Sequence, residues 1–242
     1  MEDKEYSGKH VVVTGGGSGI GRALALAFAA EDAEVTITDI DQQRVDAVLA
    51  ELRQTGVKAS GHRVDHSSEE ETRLFAENLL AATAAPDVVC ANAGVAEGSP
   101  LDIANMADWR WVMDINVMGV AYTLRYLLPA MIERGSGYVV AIGSDLGRRP
   151  LANMAAYVAS KHGLNGFMHS LLREVKHAGL RVSLIQPGMI DTGFGGHETG
   201  RHARGTVLRP DALAKLIVQV VEQPDDLLVD ELTVHPPGQG EF

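Results

Sequence analysis

The sequence contains little cysteine, few aromatic residues and no long apolar run. Cys90 is its single cysteine, which excludes an internal disulfide framework and favours a reducing compartment. Aromatic residues make up 5% of the chain, and no stretch approaches the roughly 18 consecutive apolar residues of a membrane-spanning helix. Residues 1–5 are mostly charged and lack the apolar region of a signal peptide. These absences predict a cytoplasmic protein with no membrane association and with Cys90 as a buried structural thiol.

Positive charge is also scarce. The 242 residues include 21 Lys and Arg against 32 Asp and Glu, a formal net charge of −11, which argues against a nucleic-acid or anionic-membrane surface. Hydrophobic residues make up 45% and charged residues 22%, which is ordinary for a globular protein. The length fits one domain over residues 1–242, and no repeat or linker indicates a second.

What the chain does contain is a regular alternation of short apolar strands and helical patterns. Strands are predicted near residues 10–14, 34–38, 59–64, 88–91, 137–142, 181–186 and 230–234. Helices are predicted near residues 19–31, 41–55, 67–84, 107–134, 155–177 and 210–222. The alternation predicts an α/β fold, a doubly wound, seven-stranded parallel sheet with helices on both faces. An apolar stripe over residues 164–175 indicates core packing or a subunit contact.

A glycine-rich segment follows the first predicted strand. Glycines from Gly15 to Gly21 allow a sharp turn and a close approach of backbone N–H groups to a phosphate. The helix after them offers its positive N-terminus to a pyrophosphate. Asp39 lies 18 residues beyond Gly21, at the end of the second strand, where a carboxylate binds the ribose hydroxyls of NAD. A turn without a ligand is the alternative, but the order of strand, glycines, helix, strand and acid favours a dinucleotide site.

A tyrosine and a lysine lie one helical turn apart at Tyr157 and Lys161, with Ser144 13 residues upstream of the tyrosine. A lysine fixed beside a tyrosine favours the phenolate and lowers the tyrosine pKa from its usual value near 10. The pair could then exchange a proton with a carbonyl or alcohol oxygen near neutral pH. This spacing arises by chance in many long helices, so its weight depends on the glycine-rich segment before it.

The motifs Thr14-Gly15-x-x-x-Gly19-x-Gly21 and Tyr157-x-x-x-Lys161 together resemble the short-chain dehydrogenase/reductase family of ordinary length. Further marks of the family follow in order along almost the whole chain: Asn92-Ala93-Gly94, Asn116, Ser144, Pro187-Gly188 and Thr192. Ala91 departs from the pattern, since the family often has Asn there. The resemblance implies a Rossmann fold and an oxidoreductase that transfers a hydride between a nicotinamide cofactor and a secondary alcohol or ketone.

The resemblance also implies roles for individual residues. Tyr157 would be the general acid or base, and Ser144 would hold the substrate oxygen. Lys161 would bind the nicotinamide ribose and keep the tyrosine pKa low, while Asn116 would position a water that relays protons. Taken alone, Asn116 is an ordinary mid-helix amide and Ser144 an ordinary loop serine. The cofactor would be contacted by Gly15, Ser18, Gly19, Ile20, Gly21, Asp39, Asp65, Asn92, Gly94, Tyr157, Lys161, Pro187, Ile190 and Thr192.

Asp39 favours NAD over NADP, because its carboxylate would repel a 2′-phosphate. Ser18 and Ile40 occupy positions where NADP-dependent members of the family often carry a basic residue, and Asp41 adds negative charge. Arg44 is close in sequence but is expected in the following helix, away from the ribose. For Asp65, which resembles the family's adenine contact, solvation at the surface is the alternative.

Three segments would form the substrate pocket, at residues 95–101, 145–154 and 189–207. The third is rich in glycine and predicts a mobile lid. Arg148, Arg149, Arg201 and Arg204 suggest a carboxylate, phosphate or thioester carrier on the substrate, and solvated loop charges are the alternative. No metal site is predicted, since no ligand set surrounds His197 and His202.

Three functions remain open at this point. An NAD(H)-dependent alcohol and ketone oxidoreductase is favoured. An NADPH-dependent carbonyl or 3-oxoacyl reductase is the second, and a non-catalytic regulator that senses NAD(H) is the third. The segment after the last strand looks more like family members that act on small hydroxy acids or other small alcohols. The family further implies a homodimer or homotetramer.

Overall fold

A computed structural model describes residues 6–196, 199–200 and 205–240. Those residues form one seven-stranded sheet, in which every neighbouring pair of strands is parallel. The strands are β1 (His10–Thr14), β2 (Glu34–Asp39), β3 (Ala59–Arg63), β4 (Val88–Ala91), β5 (Gly137–Ile142), β6 (Leu180–Pro187) and β7 (Glu231–Val234). Their order is β3-β2-β1-β4-β5-β6-β7. The predicted doubly wound fold is confirmed.

Helices cover both faces of the sheet. They are α1 (Gly19–Ala30), α2 (Gln42–Gln54), α3 (Glu69–Ala82), α4 (Met106–Met113), α5 (Val120–Arg134), α6 (Ala155–Val175) and α7 (Pro210–Val221). Residues of α1, α2 and α7 form one apolar cluster with Val11 and Val13, whereas residues of α3, α5 and α6 form a second cluster with Val12. Successive side chains of a strand point to opposite faces, so β1 contributes to both clusters.

The apolar stripe of α6 faces the core. Leu164, Met168, Leu171 and Val175 are buried in the second cluster, and Phe167 and Leu172 pack against it partly buried. Contact with the sheet therefore accounts for this pattern, which the sequence left open between core packing and a subunit contact.

The helix predicted over residues 107–134 is interrupted. A π-helical turn, Asp114–Gly119, separates α4 from α5. The whole run Met106–Arg134 is long and apolar enough to span a membrane by length and composition, with a mean hydropathy of 1.3 in its most apolar window. Half of that window is buried inside the protein, as in the core helices of globular domains.

The strand order reverses between β1 and β4. The chain leaves these neighbouring strands toward opposite faces, which opens a crevice at their carboxyl ends. The glycine-rich segment after β1 and the Asn92 segment after β4 therefore meet at the place where such sheets bind ligands.

Candidate active site

The glycine-rich segment forms a tight turn between β1 and α1. Gly15 and Gly19 have φ of +63° and +51°, which favours glycine. A Cβ atom on Gly21 would lie 2.1 Å from the carbonyl oxygen of Gly15. Within the described chain, the side chain of Ser18 does not cap α1, and the first turn of α1 carries no acidic residue. The N–H groups at the start of α1 are thus left uncapped by the Ser18 side chain, as a pyrophosphate site requires, and the turn fits a dinucleotide.

Thr14 and Asn92 fasten this turn to β4. The Thr14 hydroxyl accepts hydrogen bonds from the backbone N–H groups of Asn92 and Ala93, both at 3.0 Å. The Asn92 amide nitrogen donates to the carbonyl oxygens of Thr14 at 2.9 Å and Gly15 at 3.1 Å. Asn92 therefore supports the glycine-rich turn, and its predicted contact with the cofactor stays a prediction.

Asp39 lies at the end of β2 beside the glycine-rich turn. The residue is 7% exposed, and its carboxylate accepts hydrogen bonds from the backbone N–H groups of Gly17 and Asp41, each at 3.1 Å. A Cβ atom on Gly17 would lie 2.7 Å from both Asp39 Oδ2 and Arg44 Cβ. Arg44 is in α2 as expected, but it lies next to the turn rather than away from it. Its guanidinium pairs with Asp41 at 3.3 Å.

Asp65 takes part in the turn that begins α3. Its Oδ1 accepts hydrogen bonds from the backbone N–H of Ser67 at 2.9 Å and from the Ser67 hydroxyl at 2.7 Å. The neighbouring Val64 N–H donates to the carbonyl oxygen of Asp39 at 2.9 Å, which brings the ends of β2 and β3 together. Asp65 thus lies on the predicted adenine side of the site, and its adenine contact stays a prediction.

The predicted catalytic residues converge at the other side of the crevice. Tyr157, Lys161 and Ser144 are all buried, and the Lys161 ammonium lies 5.6 Å from the centre of the Tyr157 ring. Lys161 Nζ donates a hydrogen bond to the carbonyl oxygen of Ile142 at 2.9 Å. The Ser144 hydroxyl accepts one from the backbone N–H of Leu146 at 3.2 Å. The loop after β5 and the first turns of α6 therefore form one polar cluster.

The pKa values of this pair differ from the sequence-based expectation. Burial raises the pKa of Tyr157 to about 12; a hydrogen bond with Ser144 lowers it, and the charge of Asp145 raises it. Burial also lowers the pKa of Lys161 to about 8. The expectation that Lys161 brings the tyrosine toward neutral pH is wrong for the protein groups alone, because burial disfavours the charged forms of both residues.

Asn116 lies in the π-helical turn. Its amide nitrogen donates to the carbonyl oxygen of Val95 at 2.8 Å and to the Ser160 hydroxyl at 3.0 Å, and its Oδ1 accepts from the N–H of Val95 at 2.8 Å. A Cβ atom on Gly94 would lie 3.3 Å from Asn116 Oδ1 and 3.8 Å from Lys161 Nζ. Asn116 thus fixes the start of the 95–101 segment beside the lysine, while its role in a water relay stays a prediction.

The segment after β6 lies against the glycine-rich turn. The methyl carbon of Thr192 is 3.2 Å from the Cβ position of Gly19. Both ends of the 189–207 segment are joined by an isolated bridge between Ile190 and Leu208. The Phe194 ring lies 6.0 Å from the Tyr157 ring, so this segment reaches the catalytic cluster.

Two of the four predicted anion contacts are engaged elsewhere. Arg148 pairs with Glu231, and Arg149 pairs with Asp145 at 2.7 Å. The remaining candidates, Arg201 and Arg204, lie outside the described residues, as do His197 and His202. The two described arginines are neutralised by carboxylates of the protein itself and give no support to an anionic substrate.

Three residues beside Ser144 were missed from sequence. Asp145 Oδ2 accepts a hydrogen bond from Gln239 Nε2 at 2.8 Å and lies 3.4 Å from His235 Nε2, although both partners follow β7. The sequence offered two signals: a carboxylate directly after the serine, and a final segment that departs from the family's commonest form.

Neither metal nor thiol chemistry is indicated. Among residues 6–196, 199–200 and 205–240, no group of three or more His, Cys, Asp or Glu side chains could hold a metal ion. Cys90 is fully buried, and burial raises the pKa of its thiol to about 12. The thiol is structural in this environment.

The fold and the site together define a dinucleotide-binding protein with a buried Tyr-Lys-Ser cluster. The family model for short chain dehydrogenase matches residues 9–201. The chain belongs to the short-chain dehydrogenase/reductase family of oxidoreductases.

Relatives and solved structures agree with this assignment. The probable oxidoreductase EphD of Mycobacterium tuberculosis is 38% identical over 197 residues, covering 81% of this chain and 33% of that protein. The chain thus spans about a third of that relative's length. An alcohol dehydrogenase from the archaeon Thermococcus sibiricus, complexed with 5-hydroxy-NADP, superposes with a TM-score of 0.92 at 28% identity, covering 97% of this chain and 99% of that chain. A Burkholderia phymatum family member in complex with NAD gives a TM-score of 0.86 at 26% identity, covering 96% and 90%.

Proposed function

We propose that the protein is an NAD(H)-dependent oxidoreductase that interconverts a secondary alcohol and a ketone. The observation that carries the proposal is the convergence of buried Tyr157, Lys161 and Ser144 at the edge of the sheet where the glycine-rich turn opens. A non-catalytic regulator that senses NAD(H) would need the turn and Asp39 but not this cluster. The cluster is what acid-base chemistry on a carbonyl or alcohol oxygen requires.

The side chains would divide the proton chemistry among them. When bound, the nicotinamide cofactor supplies or accepts the hydride at the substrate carbon. Ser144 would hold the substrate oxygen by a hydrogen bond. Tyr157 would give its phenolic proton to the oxygen of a ketone or take the hydroxyl proton of an alcohol. The Lys161 ammonium would stabilise the phenolate that forms in the first direction.

The substrate we propose is small and uncharged. Arg148 and Arg149 are paired with protein carboxylates, as described above. Met189 and Phe194 are 46% and 41% exposed, and the Phe194 ring, 6.0 Å from the Tyr157 ring, presents apolar surface beside the tyrosine. An apolar contact at this place suits an alkyl or alicyclic group better than a charged one.

The preference for NAD(H) rests on Asp39. Its carboxylate is held beside Gly17, where it would accept hydrogen bonds from ribose hydroxyls and repel a 2′-phosphate. Arg44 beside the same glycine supports the second candidate, an NADPH-dependent reductase, and the Thermococcus sibiricus structure contains an NADP derivative. Because Asp41 already pairs with Arg44, we favour NAD(H).

The test is titration of the purified protein with NADH and NADPH, followed by nucleotide fluorescence. We expect tighter binding of NADH, and we expect Asp39→Ala to narrow the ratio of the two dissociation constants by about tenfold, or about 1.4 kcal/mol. The control is Asp46→Asn, which removes a negative charge from an exposed position of α2. An unchanged ratio in Asp39→Ala would refute the role of Asp39. A preference for NADPH that Arg44→Gln abolishes would establish the second candidate.

Turnover separates the enzyme from the regulator. A panel of secondary alcohols with NAD, and of ketones with NADH, should contain substrates that the wild-type protein converts. Binding of NADH without turnover of any member of a panel that includes alicyclic, aliphatic and hydroxy-acid compounds would favour the regulator.

A further inference from the structure

Asp145 is a buried carboxylate that the proposed reaction does not use. It directly follows Ser144 and is 6% exposed. Its Oδ2 accepts hydrogen bonds from Arg149 at 2.7 and 3.0 Å and from Gln239 Nε2 at 2.8 Å, and it lies 3.4 Å from His235 Nε2. Its Oδ1 lies 3.3 Å from the Ser144 hydroxyl, which donates to it. A buried carboxylate is costly unless it is paired, and here each partner borders the site.

Gln239 connects Asp145 to the segment after β6. Its Oε1 accepts a hydrogen bond from the backbone N–H of Met189 at 2.9 Å, while its Nε2 donates to Asp145. A Cβ atom on Gly188 would lie 2.2 Å from Gln239 Oε1, so only glycine allows this approach. The next residue back, Gly238, donates its N–H to the carbonyl oxygen of Gly205 at 2.7 Å. The 235–239 segment therefore contacts the loop after β5, at Asp145, and both ends of the 189–207 segment.

We propose that Asp145 is a positioning residue of this site: held by Arg149 and Gln239, its carboxylate keeps the Ser144 hydroxyl in place until the hydroxyl proton turns to a substrate oxygen, and it docks the 235–239 segment against the backbone at Met189. The proposal rests on the proposed function for its catalytic part. Its docking part stands on the hydrogen bonds alone.

The charge of Asp145 has a second effect, on Tyr157. Among the described residues, the charged groups that act on this tyrosine include Lys161 on α6 and Asp145 on the loop after β5. The Asp145 carboxylate itself pairs with Arg149 at 2.7 Å and lies 3.4 Å from His235 Nε2. The negative charge raises the pKa of Tyr157 and so favours its protonated form, the form that donates to a ketone. Removal of the charge at constant shape should therefore let the tyrosine lose its proton at lower pH.

A second carboxylate cluster of the same composition provides a matched control. Glu231 on β7 contacts Arg148, His169 and Gln186, as Asp145 contacts an arginine, a histidine and a glutamine. The Glu231 side chain is 13% exposed. In the part of the chain that the structure describes, these polar partners of Glu231 include no member of the catalytic cluster. A structural carboxylate without a role in positioning should behave like Glu231.

The first experiment measures docking without turnover. Amide hydrogen exchange at Met189 and Gly238 should become at least fivefold faster in Asp145→Asn and Gln239→Ala, and should stay as in wild type in Glu231→Gln. Unchanged exchange in both of the first two variants would overturn the docking part, whether or not the protein is an enzyme.

The second experiment measures kcat and KM against pH in the direction of alcohol oxidation. For Asp145→Asn we expect a loss in kcat of about ten- to a hundredfold with little change in KM, and a midpoint of the pH profile below that of wild type. Gln239→Ala keeps the charge of Asp145 and should lose activity without moving the midpoint of the pH profile.

An equal effect of Glu231→Gln, or wild-type kcat and midpoint in Asp145→Asn, would overturn the catalytic part. If Asp145→Asn does not fold, Gln239→Ala decides, since wild-type kcat there also overturns it. A wild-type protein without turnover would instead contradict the proposed function.

Discussion

The two sides of the crevice differ in the protein groups that form them. On the side of β1 and β2, backbone groups and the single carboxylate of Asp39 form the site, and side chains such as Thr14 and Asn92 hold that backbone in place. On the side of β5 and α6, the site consists of side chains, and burial moves the pKa of Tyr157 up and that of Lys161 down. On the nucleotide side, close backbone contacts leave little space for added atoms. On the catalytic side, the charge states of buried side chains decide whether a proton can be transferred. Added atoms should therefore damage the nucleotide side, and lost or altered polar groups should damage the catalytic side.

The largest effect is expected from removal of one oxygen on the catalytic side. Tyr157→Phe keeps the ring that contacts Phe194 but has no proton to transfer. General acid-base groups contribute about 10²- to 10⁴-fold, and we expect a loss of kcat at the upper end of that range. NADH affinity, measured by fluorescence, should stay within about threefold of wild type, which shows that the nucleotide side is intact. Retained turnover would contradict the assignment of Tyr157.

The next largest effect is expected from one added methyl group on the nucleotide side. Gly21→Ala would place a Cβ atom 2.1 Å from the carbonyl oxygen of Gly15, so the turn must shift. We expect NADH affinity to fall at least tenfold and the free energy of unfolding to fall by about 1–3 kcal/mol. Gly166→Ala is the control. It also replaces a glycine by alanine, inside α6, but a Cβ atom there would have nothing within 4 Å. Equal NADH binding by the two variants would show that the turn tolerates the methyl group.

A smaller effect is expected where the two sides meet, at Asn116. Asn116→Ala would leave the N–H and C=O of Val95 without their present partner, at a cost of about 1–3 kcal/mol in stability. Because the 95–101 segment begins there, we expect kcat/KM to fall about tenfold, with NADH affinity changed less. Asn78→Ala, at an exposed position of α3, should change neither quantity. A wild-type kcat/KM in Asn116→Ala would remove this residue from the catalytic side.

The sequence predicted the strands and the position of the glycine-rich turn, but not the contacts that the fold brings together. The strands were found because each is a short apolar run, and the turn was found because only glycine suits its spacing and φ values. These are local properties. The pKa of Tyr157 depends on how deeply the fold buries it, and Arg44 approaches Gly17 only when α2 packs against the sheet.

The Asp145 contacts show the same limit. Gln239 is 94 residues away from Asp145 along the chain. Sequence periodicity predicts helices and strands but not a hydrogen bond between two such distant side chains. The π-helical turn at Asp114–Gly119 was also missed, because its residues continue the apolar pattern of an ordinary α-helix.

The bridge between Ile190 and Leu208 has a consequence for how the family diversifies. This bridge joins the two ends of the 189–207 segment, so the chain between them is a loop whose two ends are held together. The entropy of closing a loop grows slowly, by about 0.6 kcal/mol for each doubling of its length. Residues could thus be inserted, deleted or exchanged between these ends at small cost to stability. The bridged ends would keep Thr192 and the glycine-rich turn in register while the loop changes. Substrate range could then evolve, or be engineered, as an exchangeable module on a constant reaction centre.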